Sequence, residues 1–233
     1  MDPDPHAAKG ETATLTDFGL DTFSYTASTA SVTSDMGDGT HEIDGANRQP
    51  NREAIAHHVR EILRLVGEDP EREGLLDTPM RVAKMYEELL AGMRIDPASV
   101  LNTTFEERSD GPVIVSNIIF YSLCEHHMLP FFGTAHVAYL PSDRIVGLSK
   151  IARLVDALSR RLQVQERLTE QIVATIEKVL APRGVIAVVE AEHLCMCARG
   201  VRKPGSSTRT LAVRGAYAEN TELRREFLQL IGK

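Results

Sequence analysis

Two short segments of this chain concentrate residues that could bind a metal. Cys124, Glu125, His126 and His127 run consecutively, and His193, Leu194 and Cys195 answer them far downstream. Two of the three cysteines and three of the eight histidines fall in these segments. Cys124 and His127 stand three residues apart, and Cys195 supplies a distant thiolate. Three ligands of this kind are the number of a catalytic zinc site, whose fourth tetrahedral position stays open for water. A structural zinc needs a fourth protein ligand, and no Cys-x-x-Cys pair offers the usual closed set. The bland alternative, cysteines buried as small apolar side chains, loses ground because histidines crowd both of them. A zinc held by Cys124, His127 and Cys195 would bring the pKa of a bound water toward neutrality. His126 and His193 would then stand beside it as proton donors or acceptors. If the strand before His193 continues, alternation puts His193, Cys195 and Cys197 on one face, so spacing alone leaves Cys197 as a competing ligand.

A second group is basic. Ser149 caps a helix on which Lys150 and Arg153, three apart, face the same way. A helix N-terminus reinforced by Lys and Arg suits a phosphate; a solvated helix face is the competing reading. Arg199, Arg202, Lys203 and Arg209 add positive charge after Cys195, which together suggests a small polyanionic substrate. No Gly-x-x-x-x-Gly-Lys loop is present, so a P-loop is excluded. A third feature is Gln165-Glu166 at a helix start. A carboxylate there is favoured by the helix dipole alone, but an amide beside a carboxylate can also pair with the N1–H and exocyclic amine of guanine.

The elements that position these residues follow from periodicity. Ile55, Val59, Ile62, Leu63 and Val66 have helical spacing between Asn51, a candidate cap, and Gly67. Thr78-Pro79 opens a second helix running to Gly92. Val113–Leu123 and Thr134–Leu140 read as strands. A helix follows with Ile151, Leu154, Val155, Leu158 and Leu162 as its stripe, then one with Leu168, Ile172, Ile176 and Leu180. Val185–Val189 is a nearly continuous apolar strand, Arg209–Val213 another, and Leu223–Leu230 a terminal helix. Strand pairs separated by helix pairs give an α+β class with an antiparallel, four-stranded sheet and an N-terminal helical hairpin.

Charge and composition bound the rest. Nine of the 33 acidic residues and only two of the 26 basic ones lie in residues 1–50, so the remaining chain is balanced. The acidity belongs to residues 1–48, a Ser/Thr-rich tail with no apolar periodicity that reads as disordered; a regulatory role for it is the second reading. A neutral body does not indicate nucleic-acid binding. No apolar run is long enough for a bilayer, no signal peptide opens the chain, and three cysteines suit a reducing cytoplasm.

The segments Cys-Glu-His-His at 124–127, Gly-Leu-Ser-Lys-Ile at 147–151 and Gln-Val-Gln-Glu-Arg-Leu-Thr at 163–169 resemble those of the GTP cyclohydrolase I family. Asp-Thr-Pro-Met-Arg-Val-Ala-Lys-Met-Tyr at 77–86 and His-Leu-Cys-Met-Cys-Ala-Arg-Gly at 193–200 resemble them too. The likeness covers residues 49–233, a helical part (49–110) and a core (111–233). It implies the tunnelling fold, one Zn2+ per subunit and a decamer of two pentamers with active sites between subunits. The implied reaction converts GTP and water to 7,8-dihydroneopterin triphosphate and formate, the first step of pterin and folate biosynthesis. Carried over, Cys124, His127 and Cys195 hold zinc and Cys197 becomes a bystander. His126 and His193 move protons, and Glu166 with Gln165 anchors guanine. Ser149, Lys150, Arg153, Arg199 and Arg81 take the triphosphate. A nucleoside deaminase is disfavoured because His-x-Glu and Pro-Cys-x-x-Cys are both absent. A non-catalytic GTP or pterin binder would not need an open metal site, and no feedback partner is legible.

Overall fold

Residues 50–107 and 109–232 are described by a computed structural model; the expected disordered tail, 1–48, lies outside them. The chain begins as a helical hairpin, α1 (Arg52–Leu65) and α2 (Thr78–Leu89). Asn51 caps α1 as expected, its side chain accepting from the Ala54 N–H at 2.9 Å. The cap of α2 falls on Asp77 rather than Thr78, with Pro79 in the first turn, where its missing N–H has no helical partner to lose. Helix α2 stops at Leu89, and a 3₁₀ turn, Ala91–Arg94, follows. Within that turn Gly92 meets the end of a later helix: its N–H donates to the Arg160 carbonyl at 3.0 Å, and an added Cβ would lie 2.2 Å from the Ala157 carbonyl oxygen.

A short helix α3 (Pro97–Val100) leads to β1 (Thr104–Phe105), β2 (Val113–Cys124), β3 (Pro130–Leu140) and β4 (Ile145–Val146). Then come α4 (Leu148–Ser159), β5 (Leu162–Gln163), α5 (Gln165–Leu180) and β6 (Gly184–His193). The chain closes with α6 (Leu194–Cys197), β7 (Ser207–Gly215), α7 (Ala216–Glu219) and α8 (Thr221–Leu230). The class is α+β. The four long strands are antiparallel in the order β2-β3-β6-β7, but the sheet has five members, because the two residues of β5 pair in parallel with the end of β2. That edge corrects the four-stranded expectation; two residues are too few to show a period. Likewise β1 and β4 form a separate two-residue ribbon, and β3 and β6 each extend further toward the site than their apolar runs suggested.

Alternation sorts the sheet into two faces. Phe120, Ala135, Val137, Tyr139, Val185, Ala187 and Val189 point to one face and bury under α4 and α5, whose Ile151, Leu154, Leu158, Leu168, Ile172 and Ile176 are fully enclosed. Removing each such side chain from water contributes about 1.5–3 kcal/mol. Among the described residues, the opposite face is covered only at one end, where Tyr217 and Phe227 pack on Ala138, Leu140, Ile186 and Val188. Toward the other end Ile119, Tyr121 and Leu211 stay exposed.

Candidate active site

The site forms where β2 and β6 end side by side with β3 between them. Cys124 is the last residue of β2, buried, with its N–H on the Leu129 carbonyl at 2.9 Å and its carbonyl accepting from Met128 at 2.8 Å. Met128 takes φ 53° to close this turn, which swings His127 back over the cysteine. On the other flank the Glu125 N–H donates to the Gln163 carbonyl of β5 at 3.0 Å. Strand β6 stops at His193, and Cys195 arrives on the helical turn α6. The alternation expected to put His193, Cys195 and Cys197 on one face therefore fails after His193. The ligand atoms of Cys124, His127 and Cys195 nevertheless lie within 4.8 Å of one another. Cys197 turns away, its Sγ 3.3 Å from the Glu192 carboxylate and 3.6 Å from the Lys203 carbonyl.

The donor set fits a metal ion. Burial first, then the neighbouring Cys124 sulfur, pushes the Cys195 thiol up from its ordinary pKa. Two thiols this close resist ionising together unless a cation sits between them. A soft divalent ion matches two sulfurs and an imidazole.

The two proton-carrying histidines differ in setting. His126 is exposed, with Nδ1 3.8 Å from the Cys124 sulfur. His193 is half-buried and lies flat on Phe131, with centroids 4.7 Å apart and an interplanar angle of 5°. Burial pushes its pKa down, against the pull of the Glu166 carboxylate. Glu166 is exposed at the start of α5. Gln165 beside it is not: only 1% exposed, its side chain turns inward and its Oε1 meets His193 Nε2 at 2.8 Å. The pairing expected of these neighbours splits, with Glu166 facing outward and Gln165 facing the histidine.

The cations also divide. Arg199 donates to His127 Nε2 at 2.9 Å, so it adjoins the cysteine cluster. Lys150 is brought forward by the β1–β4 ribbon and donates to Asn102 Oδ1 at 2.9 Å. Gly147, not Ser149, occupies the cap position of α4, and Ser149 lies exposed in the first turn without a side-chain cap bond. Lys150 and Arg153 line a cavity of about 400 Å³ with Ser99, Asn102, Asp156 and Arg160, and no residue of the cysteine cluster borders it. Arg81 sits on α2, 72% exposed, with its guanidinium on Asp77 at 3.1 Å. Arg209 pairs with Glu190 at 3.0 Å on the other sheet face. Sequence reasoning missed Arg167, which grips the Glu125 carboxylate at 2.5 and 2.9 Å and holds its pKa down. This pair ties α5 to the Cys124 loop; a partner 42 residues away leaves no local signal.

Two thiols and an imidazole gathered at one end of an antiparallel sheet define a protein able to hold a metal ion. The family model for GTP cyclohydrolase I matches residues 55–232. The chain is 53% identical over 182 residues to GTP cyclohydrolase 1 of Streptococcus thermophilus (strain CNRZ 1066), covering 78% of this chain and 97% of that one. It is 54% identical over 184 residues to the protein so named from Listeria monocytogenes serotype 4b (strain CLIP80459), with the same coverages. Identity reaches 59% over 175 residues with that of Mycobacterium bovis (strain BCG / Pasteur 1173P2), covering 74% and 87%. The chain belongs to the GTP cyclohydrolase I family and is an enzyme of that family. Among solved structures, the apo form of the archaeosine synthase QueF-Like aligns at a TM-score of 0.38 and 17% identity, over 47% of this chain and 98% of that one. That is too distant to bear on the fold. No helix among the described residues is long and apolar enough to cross a membrane.

Proposed function

We propose that this enzyme hydrolyses and rearranges GTP to 7,8-dihydroneopterin triphosphate, releasing formate, with zinc held by Cys124, His127 and Cys195. The observation that carries the reading is the convergence of those three ligand atoms within 4.8 Å. When bound, zinc supplies Lewis-acid activation of water. Glu166, exposed at the N-terminus of α5, accepts from the N1–H and exocyclic amine of guanine. Through the base held there, the imidazole ring is presented to His126 and His193. These two histidines give and take the protons that ring opening and formate release require. Arg199, next to His127, and the Ser149, Lys150 and Arg153 group neutralise the triphosphate, with Arg81 added from α2.

In one chain the Lys150–Arg153 cavity and the cysteine cluster have no lining residue in common. This separation supports a site completed between subunits, and so the tunnelling-fold decamer. Uncovered apolar residues on α1 and on the open sheet face supply surface for such contacts. Residues 49–233 then act as one catalytic domain, and three cysteines with no disulfide among them fit a cytoplasmic setting.

The test is incubation with GTP and zinc, followed by oxidation and a search for pterin fluorescence. A signal abolished by chelator and restored by zinc is the expected result. Absence of signal from zinc-loaded, assembled protein would overturn the reading in favour of a nucleotide-binding regulator.

A further inference from the structure

We infer that Gln165 is a positioning residue that fixes which nitrogen of His193 carries the proton: Nε2 is protonated, and Nδ1 is left as the acceptor of the ring. The inference rests on the proposed proton-transfer role of His193 and deepens it. It reassigns Gln165, expected from the resemblance to share guanine with Glu166.

The case is a count of donors and acceptors. The Gln165 amide nitrogen lies 3.0 Å from the Val189 carbonyl, 2.9 Å from the Thr208 carbonyl and 3.2 Å from the Thr210 hydroxyl. Backbone carbonyls only accept, so the NH₂ end must face them. Turning the amide over would point its oxygen at two other oxygens in a buried place. The Gln165 oxygen is thereby committed to His193 Nε2 at 2.8 Å, and an amide oxygen can only accept. Nε2 must therefore donate, and a neutral imidazole with its proton there has a lone pair on Nδ1.

The hydroxyls close the chain in the same sense. Thr169 gives its one proton to the Gln165 backbone carbonyl at 2.9 Å. In the 2.6 Å contact between Thr169 and Thr210, Thr210 must then be the donor. That leaves the Thr210 oxygen as an acceptor toward the Gln165 NH₂, which is the direction already required. Each hydroxyl proton has one place to go, and the two amide protons are shared among three oxygens that all accept. Gln165 and Thr169 are each 1% exposed, so water has little access to scramble the arrangement. Phe131 lies flat against the ring and holds its plane while Gln165 holds its proton.

The test combines a spectrum with kinetics on the zinc-loaded full chain. Solid-state ¹⁵N spectra of ring-labelled protein, with His193→Gln to assign the signal, should show His193 with a protonated Nε2 and a bare Nδ1. A proton on Nδ1 overturns the inference, whether or not GTP is turned over. In Gln165→Leu the signal should become a mixture of tautomers. Its kcat should fall about 100-fold, as for a misplaced catalytic group, with KM for GTP within about twofold. A raised KM with kcat and tautomer unchanged would return Gln165 to guanine binding. Thr210→Val, a milder change, should shift tautomer and kcat the same way, and Thr210→Ser should restore both; if Gln165→Leu fails to fold, this pair decides. Loss of pterin formation in the wild type, with the Nε2–H tautomer present, would instead defeat the proposed function and leave the positioning inference standing.

Discussion

Helices α1 and α5 carry apolar stripes of the same period, yet only one of them is buried. On α5, Leu168, Ile172 and Ile176 are wholly enclosed against the sheet, whereas on α1 Ile62 is 57% and Leu65 85% exposed, and Val66 at its C-cap is 70% exposed. The hairpin holds itself together partly by charge, with Arg52 on Glu87 at 2.5 Å and Arg60 and Arg64 both near Glu71 at 3.7 Å. Exposed pairs of this kind contribute little each. The comparison shows that periodicity reveals which face a helix shields but not which molecule shields it. It also shows why α5 rather than α1 suits residues that border the site, since a group must be held within a fraction of an ångström to act.

The comparison can be broken first at the metal. Cys195→Ser should lose bound zinc and turnover together, read by metal analysis and pterin fluorescence, while the helical hairpin keeps its circular dichroism. An active variant without zinc would sink the assignment. Next, Phe131→Ala empties a fully buried position under His193 and should cost about 3–5 kcal/mol in chemical denaturation. Leu65→Ala on α1 should change the stability of a single chain by less than about 0.5 kcal/mol. Equal effects would mean that Leu65 is as enclosed in solution as Phe131. Glu166→Ala should raise KM for GTP about 10- to 100-fold, the worth of a hydrogen bond to a charged group, with zinc content unchanged.

Smaller effects probe the join between the regions. Gly92→Ala would press a methyl onto the Ala157 and Arg160 carbonyls, at 2.2 and 2.8 Å, and should cost about 1–3 kcal/mol. Its hydrogen exchange should quicken in α2 and the turn after it more than in β3 or β6. The least effect is electrostatic. The Arg52 guanidinium holds the Glu87 carboxyl below the usual carboxylate range, so the folded pKa lies under the unfolded one. The pair's contribution is complete above the ordinary carboxylate pKa and is lost as pH falls through the depressed value. Protection factors of the α1 amides, with the intrinsic pH dependence of exchange divided out, should therefore fall on acidification, and Glu87→Gln should remove that dependence.

Much of this was legible in the sequence where a single segment carries its own evidence. Helices α4 and α5 and the apolar cores of β2, β3 and β6 follow directly from spacing. Cys124, His127 and Cys195 were legible because their side-chain chemistry narrows the use of such a cluster. What was hidden depends on partners far along the chain. Pro130 and Gly133 disguised the first half of β3, although Gly133 is required there because a Cβ would lie 1.9 Å from the Glu190 carbonyl. Glu190 and Glu192 disguised the end of β6, since strand pairing tolerates polar side chains on an open face. Gln165 read as a partner of Glu166 toward guanine, because the groups that satisfy its polarity, Val189, Thr208 and Thr210, are none of them near it in sequence. Cys195 reached its position by a helical turn that a strand pattern does not foretell.

The two-residue pairing of β5 with β2 has a reach greater than its length. It sets Gln163 opposite Cys124, and α5 starts two residues after Gln163, so backbone bonds alone fix the span between the cysteine and Glu166. Such a span works as a caliper, with jaws that do not flex with side-chain rotation. Under the proposed guanine role of Glu166, a ring system of the wrong breadth would not be gripped at both ends, however well its edge matched the carboxylate.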